Sequence, residues 1–383
     1  MYNYRDPTSW FFDPSRGYLQ SYSALRQHEA NTFINAVVES PVVEEPAVEE
    51  SPPPKFCVGV VTVAREGARY FRTTVGSLLA DLDPTSRAQI HLILFLAHTD
   101  PSQHPAYSEP WLHRVADRVL AGYEKVTAEE LERIRKMEFR EKGSFDYRVL
   151  LRECGKVGAE YVGMVEDDVV LMEGWFERVV RALEWVERNG RGEWLYLRLF
   201  YTEEFLGWNS EEWPQYLFWS LVWVVVPTIC LLTLRYHHPP LRHPLSNQAT
   251  AISCGLCIPL CILLFFSAGR VSLFPLPAGV NPMPEFGCCS QGLVFPQSKV
   301  QEIVNWYEER KIGLTDVMLE ELAEKKQYIS GRSLRHVGRR SSKGDDYGEA
   351  AKYHRTVAEK LWNFEFELND KEALHRENSY LHP

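Results

Sequence analysis

Two stretches of this chain decide what the rest of it can be. From Tyr216 to Leu234 it reads YLFWSLVWVVVPTICLLTL, nineteen residues without a charge, and from Thr250 to Gly269 it reads TAISCGLCIPLCILLFFSAG, also uncharged. At 1.5 Å rise per residue, each is long enough to cross a hydrocarbon core of about 30 Å. A pair of buried core helices is the alternative, and the lengths favour a membrane hairpin. Each run carries one proline, Pro227 and Pro259, which membrane helices tolerate when neighbours satisfy the freed carbonyls. The loop between them, RYHHPPLRHPLSNQ, holds Arg235 and Arg242 and no acid, whereas the upstream flank TEEFLGWNSEEWPQ holds four Glu and no Lys or Arg. The positive-inside rule sets the loop in the cytosol and both flanks on the opposite side, with Arg270 a mild counter-signal. Everything else is then expected on the lumenal or external face.

The whole chain has 383 residues, enough for one large domain or two ordinary ones. A formal charge of -10 and a pI near 5.7 exclude a broad nucleic-acid face. The one notable basic cluster is LRHVGRRSSK, residues 334–343. Of eight cysteines, Cys230, Cys254, Cys257 and Cys261 fall within the apolar runs, leaving Cys57, Cys154, Cys288 and Cys289 for an oxidising compartment. Four cysteines allow three connectivities, and spacing does not choose among them. The C-x-x-C at 254–257 has no second pair and an apolar setting, so its thiols read as packing groups rather than zinc ligands.

Around the hairpin the pattern is that of a globular enzyme. Residues 1–38 form an N-terminal segment, and 39–55, rich in Pro and Glu, read as an extended or disordered linker. A first catalytic part spans 56–213, the hairpin 214–270, and a second part with the C-terminal tail 271–383. FCVGVVTVAR, QIHLILFLAHTD, AEYVGMV and EWLYLRLFYT read as strands. REGARYFRTTVGSLLADL, TAEELERIRKMEFREK, FDYRVLLRECGKVG and EGWFERVVRALEWVER read as helices. After the hairpin come a strand and helix in FGCCSQGLVFPQSKVQEIVNWYEERK and a short helix in GLTDVMLEELAEKKQ. Alternation of this kind predicts an α/β fold with a mostly parallel sheet.

AEYVGMV ends in three consecutive acids, Glu166, Asp167 and Asp168. In an open parallel sheet, ligands collect at the carboxyl ends of the strands, and crowded carboxylates repel unless a cation sits among them. In extended geometry Glu166 and Asp168 project to one side and Asp167 to the other, as in a D-x-D site holding a hard divalent ion against a diphosphate. The plain alternative is an acid-rich helix N-terminus. Nucleotide-sugar transfer also needs a loop for the nucleotide, a base for the acceptor hydroxyl and groups that stabilise the departing phosphate. Thr62, Val63 and Arg65 end the first strand, Asp316 opens TDVMLEE, and His336, Arg339, Ser341 and Ser342 lie in the basic segment.

With VGVVTVAR, FDYRVLLRECGKVGAEYVGMVEDDVV, LYLRLFYTEEFLGW and FGCCSQGLVFPQSKV, residues 56–342 resemble the Golgi enzymes that add N-acetylgalactosamine to the mannose core of glycosylphosphatidylinositol (GPI). A hairpin inserted within a GT-A glycosyltransferase domain is the most specific shared feature. The FDY to EDD stretch and SLRHVGRRSS are also similar to the N-acetylglucosaminyltransferase IV family. The resemblance implies a GT-A-like fold and a manganese-bound UDP-sugar, with Glu166, Asp168 and His336 at the metal and Asp146 facing the uridine end. It further implies donor contacts from Thr62, Val63, Arg65, Asp167, Ser341 and Ser342. Inversion at the sugar would use Asp316 as base, with Glu320 or Glu321 as alternatives. Family members begin with a membrane helix, and these opening residues hold none; either a longer chain carries it or the hairpin inserts alone.

The function expected is that of a multi-pass Golgi membrane glycosyltransferase with a lumenal catalytic domain. It would carry N-acetylgalactosamine from UDP-GalNAc to a GPI-anchored protein or GPI glycolipid. The competing readings are the same fold acting with another UDP-sugar or on an N-glycan or glycolipid, and a non-catalytic membrane scaffold.

Overall fold

A computed structural model describes residues 3–41, 53–65, 70–124, 126–189, 193–282, 289–326, 332–334, 338–340 and 362–381. The strands are β1 (Phe56–Thr62), β2 (Ile90–Leu96), β3 (Arg118–Ala121), β4 (Tyr161–Glu166), β5 (Val169–Leu171), β6 (Leu197–Arg198), β7 (Val280–Pro282), β8 (Gly292–Pro296), β9 (Arg332–Leu334) and β10 (Gly338–Arg340). The longer helices are α1 (Tyr22–Glu39), α2 (Tyr70–Leu79), α3 (Ala128–Arg135), α4 (Phe139–Gly155), α5 (Trp175–Asn189), α6 (Trp213–His237), α7 (residues 247–267), α8 (Gln297–Arg310), α9 (Thr315–Lys326) and α10 (Lys371–Leu381). The chain divides into two units, residues 1–19 with 203–276 and residues 20–202 with 277–383.

The larger unit is a mixed α/β layer structure. Its eight-stranded sheet runs β3-β2-β1-β4-β8-β6-β9-β7. Strands β3, β2, β1 and β4 are parallel, as the alternation of strands and helices predicts. Beyond β4 the sheet turns mixed, because β8 enters beside the carboxyl end of β4, where Gln291 C=O accepts from Glu166 N–H, and runs back antiparallel. The stretch EWLYLRLFYT contributes only Leu197–Arg198 to the ladder. TAEELERIRKMEFREK is likewise two helices, not one, since Glu138 at φ -65° and ψ 157° is extended and restarts the chain as α4.

Strand alternation sends side chains to two apolar layers. Phe56, Val58 and Val60 pack with Val75 and Leu78 of α2 and Phe176 and Val179 of α5. Cys57, Ile93, Val162, Met164 and Leu293 pack on the other face with Leu150 of α4, Ile303 of α8 and Leu319 of α9. Cys57 of β1 is disulfide-bonded to Cys154 of α4 across 97 residues, which selects one connectivity among those left open by spacing. Helix α1, preceding the linker, belongs to this unit: a Cβ on Gly76 would lie 2.5 Å from the Ala30 carbonyl oxygen, so α1 and α2 cross with backbones nearly touching. Buried Arg26 of α1 donates through Nε to Leu171 C=O at 3.0 Å and pairs with Asp81 at 2.5 Å.

The smaller unit carries the two apolar helices, each long enough to cross a bilayer. Their side chains lie outside any core, with Trp223 65 % exposed and Leu264 57 % exposed, which removes the core-helix alternative. Pro227 lies inside α6, where Thr228 Oγ1 donates to the Val224 carbonyl at 2.6 Å. In α7, Pro259 is preceded by a π-helical segment, Ser253–Cys257, which widens the turn that the missing N–H and ring would otherwise disrupt. Residues near the N-terminus close the end of α7. Ser267 C=O accepts from Trp10 N–H at 2.9 Å, and Ala268 C=O accepts from Asn3 at 3.2 Å.

Candidate active site at the ends of the parallel strands

Because β1, β2 and β4 are parallel, their carboxyl ends emerge on one edge, and Thr62, Ala97 and Glu166 mark it. Strand β4 stops at Glu166; Asp167 and Asp168 form the turn into β5. The strict alternation expected through the three acids therefore ends at the first of them. A single guanidinium serves the other two: Arg65 Nη2 lies 2.6 Å from Asp167 Oδ1, and Nη1 lies 3.4 Å from Asp168 Oδ2. Asp167 and Asp168 are buried, while the Arg65 side chain is 36 % exposed.

The turn is pinned from below by the hydroxyls of α2. Thr74 Oγ1 donates to the Asp167 carbonyl at 2.7 Å, and Ser77 Oγ accepts from Leu171 N–H at 3.1 Å. Small polar residues within the apolar stretch YFRTTVGSLL are the signal for this contact, and sequence reasoning missed it. Thr62, the last residue of β1, donates to Asp167 Oδ2 at 2.7 Å and faces His104 Nε2 at 3.1 Å. Burial pushes the Asp167 carboxyl above its ordinary value, opposed by Arg65, Thr62 and the Val63 amide. Burial pushes His104 down to about 4, assisted by His98. Thr62, Val63, Arg65, Phe71, His104 and Asp167 line a cleft of about 90 Å³. No sequence signal marks His104, which comes from an irregular segment.

Glu166 belongs to the opposite face of the sheet. Its Oε1 accepts from Ser290 Oγ at 2.6 Å, and its charge, together with that of Asp316, bears on the fully buried Tyr147 of α4. Arg198 on β6 is buried there, donating to Glu320 Oε1 at 3.2 Å, and Tyr196 also donates to Glu320. Burial raises the Glu320 carboxyl above its ordinary value, opposed by the Tyr196 hydroxyl and Arg198. Arg198 Nε and Nη1 and Tyr147 Oη have no hydrogen-bond partner among the described residues. Asp316, half-buried at the start of α9, accepts from Val317 N–H at 3.0 Å. Glu321 pairs with Arg310 at 2.6 Å.

Asp146 joins a third cluster, under the end of β2. Lys142 Nζ approaches it at 2.5 Å and also donates to Ala97 C=O at 2.8 Å; Tyr123 Oη donates to it at 2.7 Å. Burial raises the Asp146 carboxyl, with Lys142 opposing. His336, Ser341 and Ser342 lie outside the described residues. The described backbone between them is β10, antiparallel to β5 with Arg339 opposite Val170, so β10 runs beside the strand that follows the acid turn. Among the described residues no group of three or more His, Cys, Asp or Glu is arranged to hold a metal ion. Oxygen donors are nonetheless concentrated at Glu166 to Asp168, and carboxylates suit a hard ion such as Mn2+ or Mg2+ that keeps water or phosphate among its ligands.

Buried carboxylates on the ligand-binding edge of a mixed α/β sheet, in a chain with two membrane-competent helices, describe a membrane-associated enzyme of the strand-end type. The family described as GPI-N-acetylgalactosamine transferase PGAP4 matches residues 56–330, well over half of the chain, and the chain belongs to that family of glycosyltransferases. The resemblance carried by the EDD stretch and the hairpin is thereby borne out. No curated protein matches the chain.

Proposed function

We propose that this protein transfers N-acetylgalactosamine from UDP-GalNAc to the mannose core of GPI anchors, with inversion, at a GT-A-type domain facing the Golgi lumen. The observation that carries this is the family match over 56–330 joined to an acid turn at the carboxyl ends of β1 and β4. Glu166 and Asp168 would hold a divalent ion, with His336 as a further ligand. Such an ion supplies charge neutralisation for the departing diphosphate. Arg65, spanning Asp167 and Asp168, is the cation at the donor loop formed with Thr62 and Val63. Asp146 would address the uridine end, and Ser341 and Ser342 the phosphates.

For the base, Asp316 is favoured over its alternatives because Glu320 and Glu321 are each engaged by an arginine, whereas Asp316 accepts only from its own helix among the described residues. The Cys57–Cys154 disulfide supports an oxidising compartment for the catalytic unit. A chain that carries its own membrane spans stays at the surface that holds a lipid-linked acceptor, which raises effective concentration.

The test is hydrolysis and transfer by the purified full chain with Mn2+ and a panel of UDP-sugars, alongside Asp168→Ala. Turnover is expected with UDP-GalNAc and is lost in the variant while its melting temperature stays close to wild type. Full activity in Asp168→Ala refutes the metal assignment. Preference for another UDP-sugar refutes the donor, and no manganese-dependent UDP binding favours a scaffold.

A further inference from the structure

We infer that His104 is a positioning residue for the acid turn, holding the Asp167 carboxylate in place through the hydroxyl of Thr62; the assignment rests on the glycosyltransferase function proposed above. Thr62 has one hydroxyl proton, and at 2.7 Å it is donated to Asp167 Oδ2, a carboxylate whose other oxygen pairs with Arg65. What Thr62 turns toward His104 Nε2, 3.1 Å away, is then a lone pair, so Nε2 carries a proton. The far side of the ring agrees: Nδ1 accepts from Ala106 N–H at 3.1 Å and carries none. The imidazole is therefore neutral in its Nε2–H form, and a one-way chain of donors runs from His104 to Thr62 to Asp167.

The surroundings favour this state. His104, Thr62 and Asp167 are all buried, the ring edge meets Phe71 at 5.8 Å, and His98 lies 5.8 Å away where a second positive charge would be repelled. Buried polar chains specify one arrangement when every member is satisfied. Here what is specified is the turn: Asp167 sits between Glu166 and Asp168, and Arg65 reaches Asp168 only by lying across Asp167. If the Asp167 carboxylate rotates, the guanidinium follows it and the longer contact to Asp168 is lost. His104 acts on the turn through Thr62, which lies between it and Asp167.

Two conservative substitutions separate the roles of the two ring nitrogens. His104→Gln places an amide N–H near the position of Nε2, whereas His104→Asn places an acceptor near that of Nδ1 and leaves Thr62 without its donor. In the full chain in detergent, with whichever UDP-sugar the wild type turns over, His104→Asn is expected to lower kcat about tenfold, the scale of one hydrogen bond to a charged network. His104→Gln retains most of the activity, and KM for the acceptor is unchanged in both. Thr62→Val lowers kcat similarly and, combined with His104→Asn, adds no further loss. A purely structural capping role predicts the reverse order, with Asn tolerated and Gln damaging, and that result overturns the inference.

A second arm does not depend on turnover. In chain labelled with 15N-histidine, the His104 ring proton is expected on Nε2, slow to exchange with water and faster in Thr62→Val. A proton on Nδ1, or exchange unaffected by Thr62→Val, overturns the relay. A wild type inert toward every UDP-sugar sinks the proposed activity alone, and the labelled spectrum still decides the relay.

Discussion

The Cys57–Cys154 bridge gives the sharpest quantitative expectation. It ties the second residue of β1 to the last turn of α4 across 97 residues, with both side chains fully buried in the layer that backs the sheet. In the chain-entropy account, a cross-link closing about 100 residues restricts the unfolded ensemble by roughly 4.7 kcal/mol at 25 °C. Replacing both residues by alanine removes that restriction and leaves two small voids, so a loss of about 4 to 6 kcal/mol is expected. At roughly 2 to 4 °C per kcal/mol for a unit of this size, the melting temperature falls by about 10 °C or more. The assay is thermal unfolding of the full chain in detergent, wild type against Cys57→Ala/Cys154→Ala, without reductant. Substitution is preferable to reduction because Cys289 is also disulfide-bonded and would be opened at the same time. Peptide mapping must first show the Cys57–Cys154 link in the wild type. A midpoint within about 2 °C of wild type, with the link mapped, would refute the claim that this bridge holds the sheet to α4.

Gly76→Ala drives a methyl group to 2.5 Å from the backbone oxygen of Ala30, an atom that cannot rotate away, so a loss of about 1 to 3 kcal/mol is expected from denaturant midpoints. An unchanged midpoint would mean that α1 and α2 part without cost. Acidification probes His104: its folded value, about 4, lies below the ordinary 6.5, so the unfolded chain binds the extra proton first and stability falls as pH drops from about 6.5 toward 4. The melting-temperature difference between pH 7 and pH 5 is therefore expected to be smaller in His104→Gln than in wild type; an equal difference contradicts it.

Much of the larger unit was legible from periodicity. The strands ending at Thr62, Leu96 and Glu166 are runs of β-branched and apolar residues, and α4, α5 and α8 carry helical apolar spacing, so their positions followed from local pattern. What lay beyond reach was set by tertiary placement. The reversal of β8 depends on where the chain returns after the hairpin, which local pattern does not encode. The turn at Asp167 and Asp168 breaks strand alternation, so the bridging of those two acids by Arg65 could not be read from local pattern. Arg198 reads as an ordinary charge between leucines, and only its burial beside Glu320 marks it. Of the acids on α9, Glu320 and Glu321 are engaged by Arg198 and Arg310, pairings between distant segments that local pattern does not encode.

The clasp formed by Asn3, Ser9 and Trp10 on the carbonyls of Ser267 and Ala268 joins a helix end to residues about 260 positions earlier in the chain. Where that helix crosses a bilayer, residues 3–10 must lie on the side on which it ends. A reporter attached ahead of Asn3 would mark that side, and a bulky one would loosen the seam and let the last turn of the span fray.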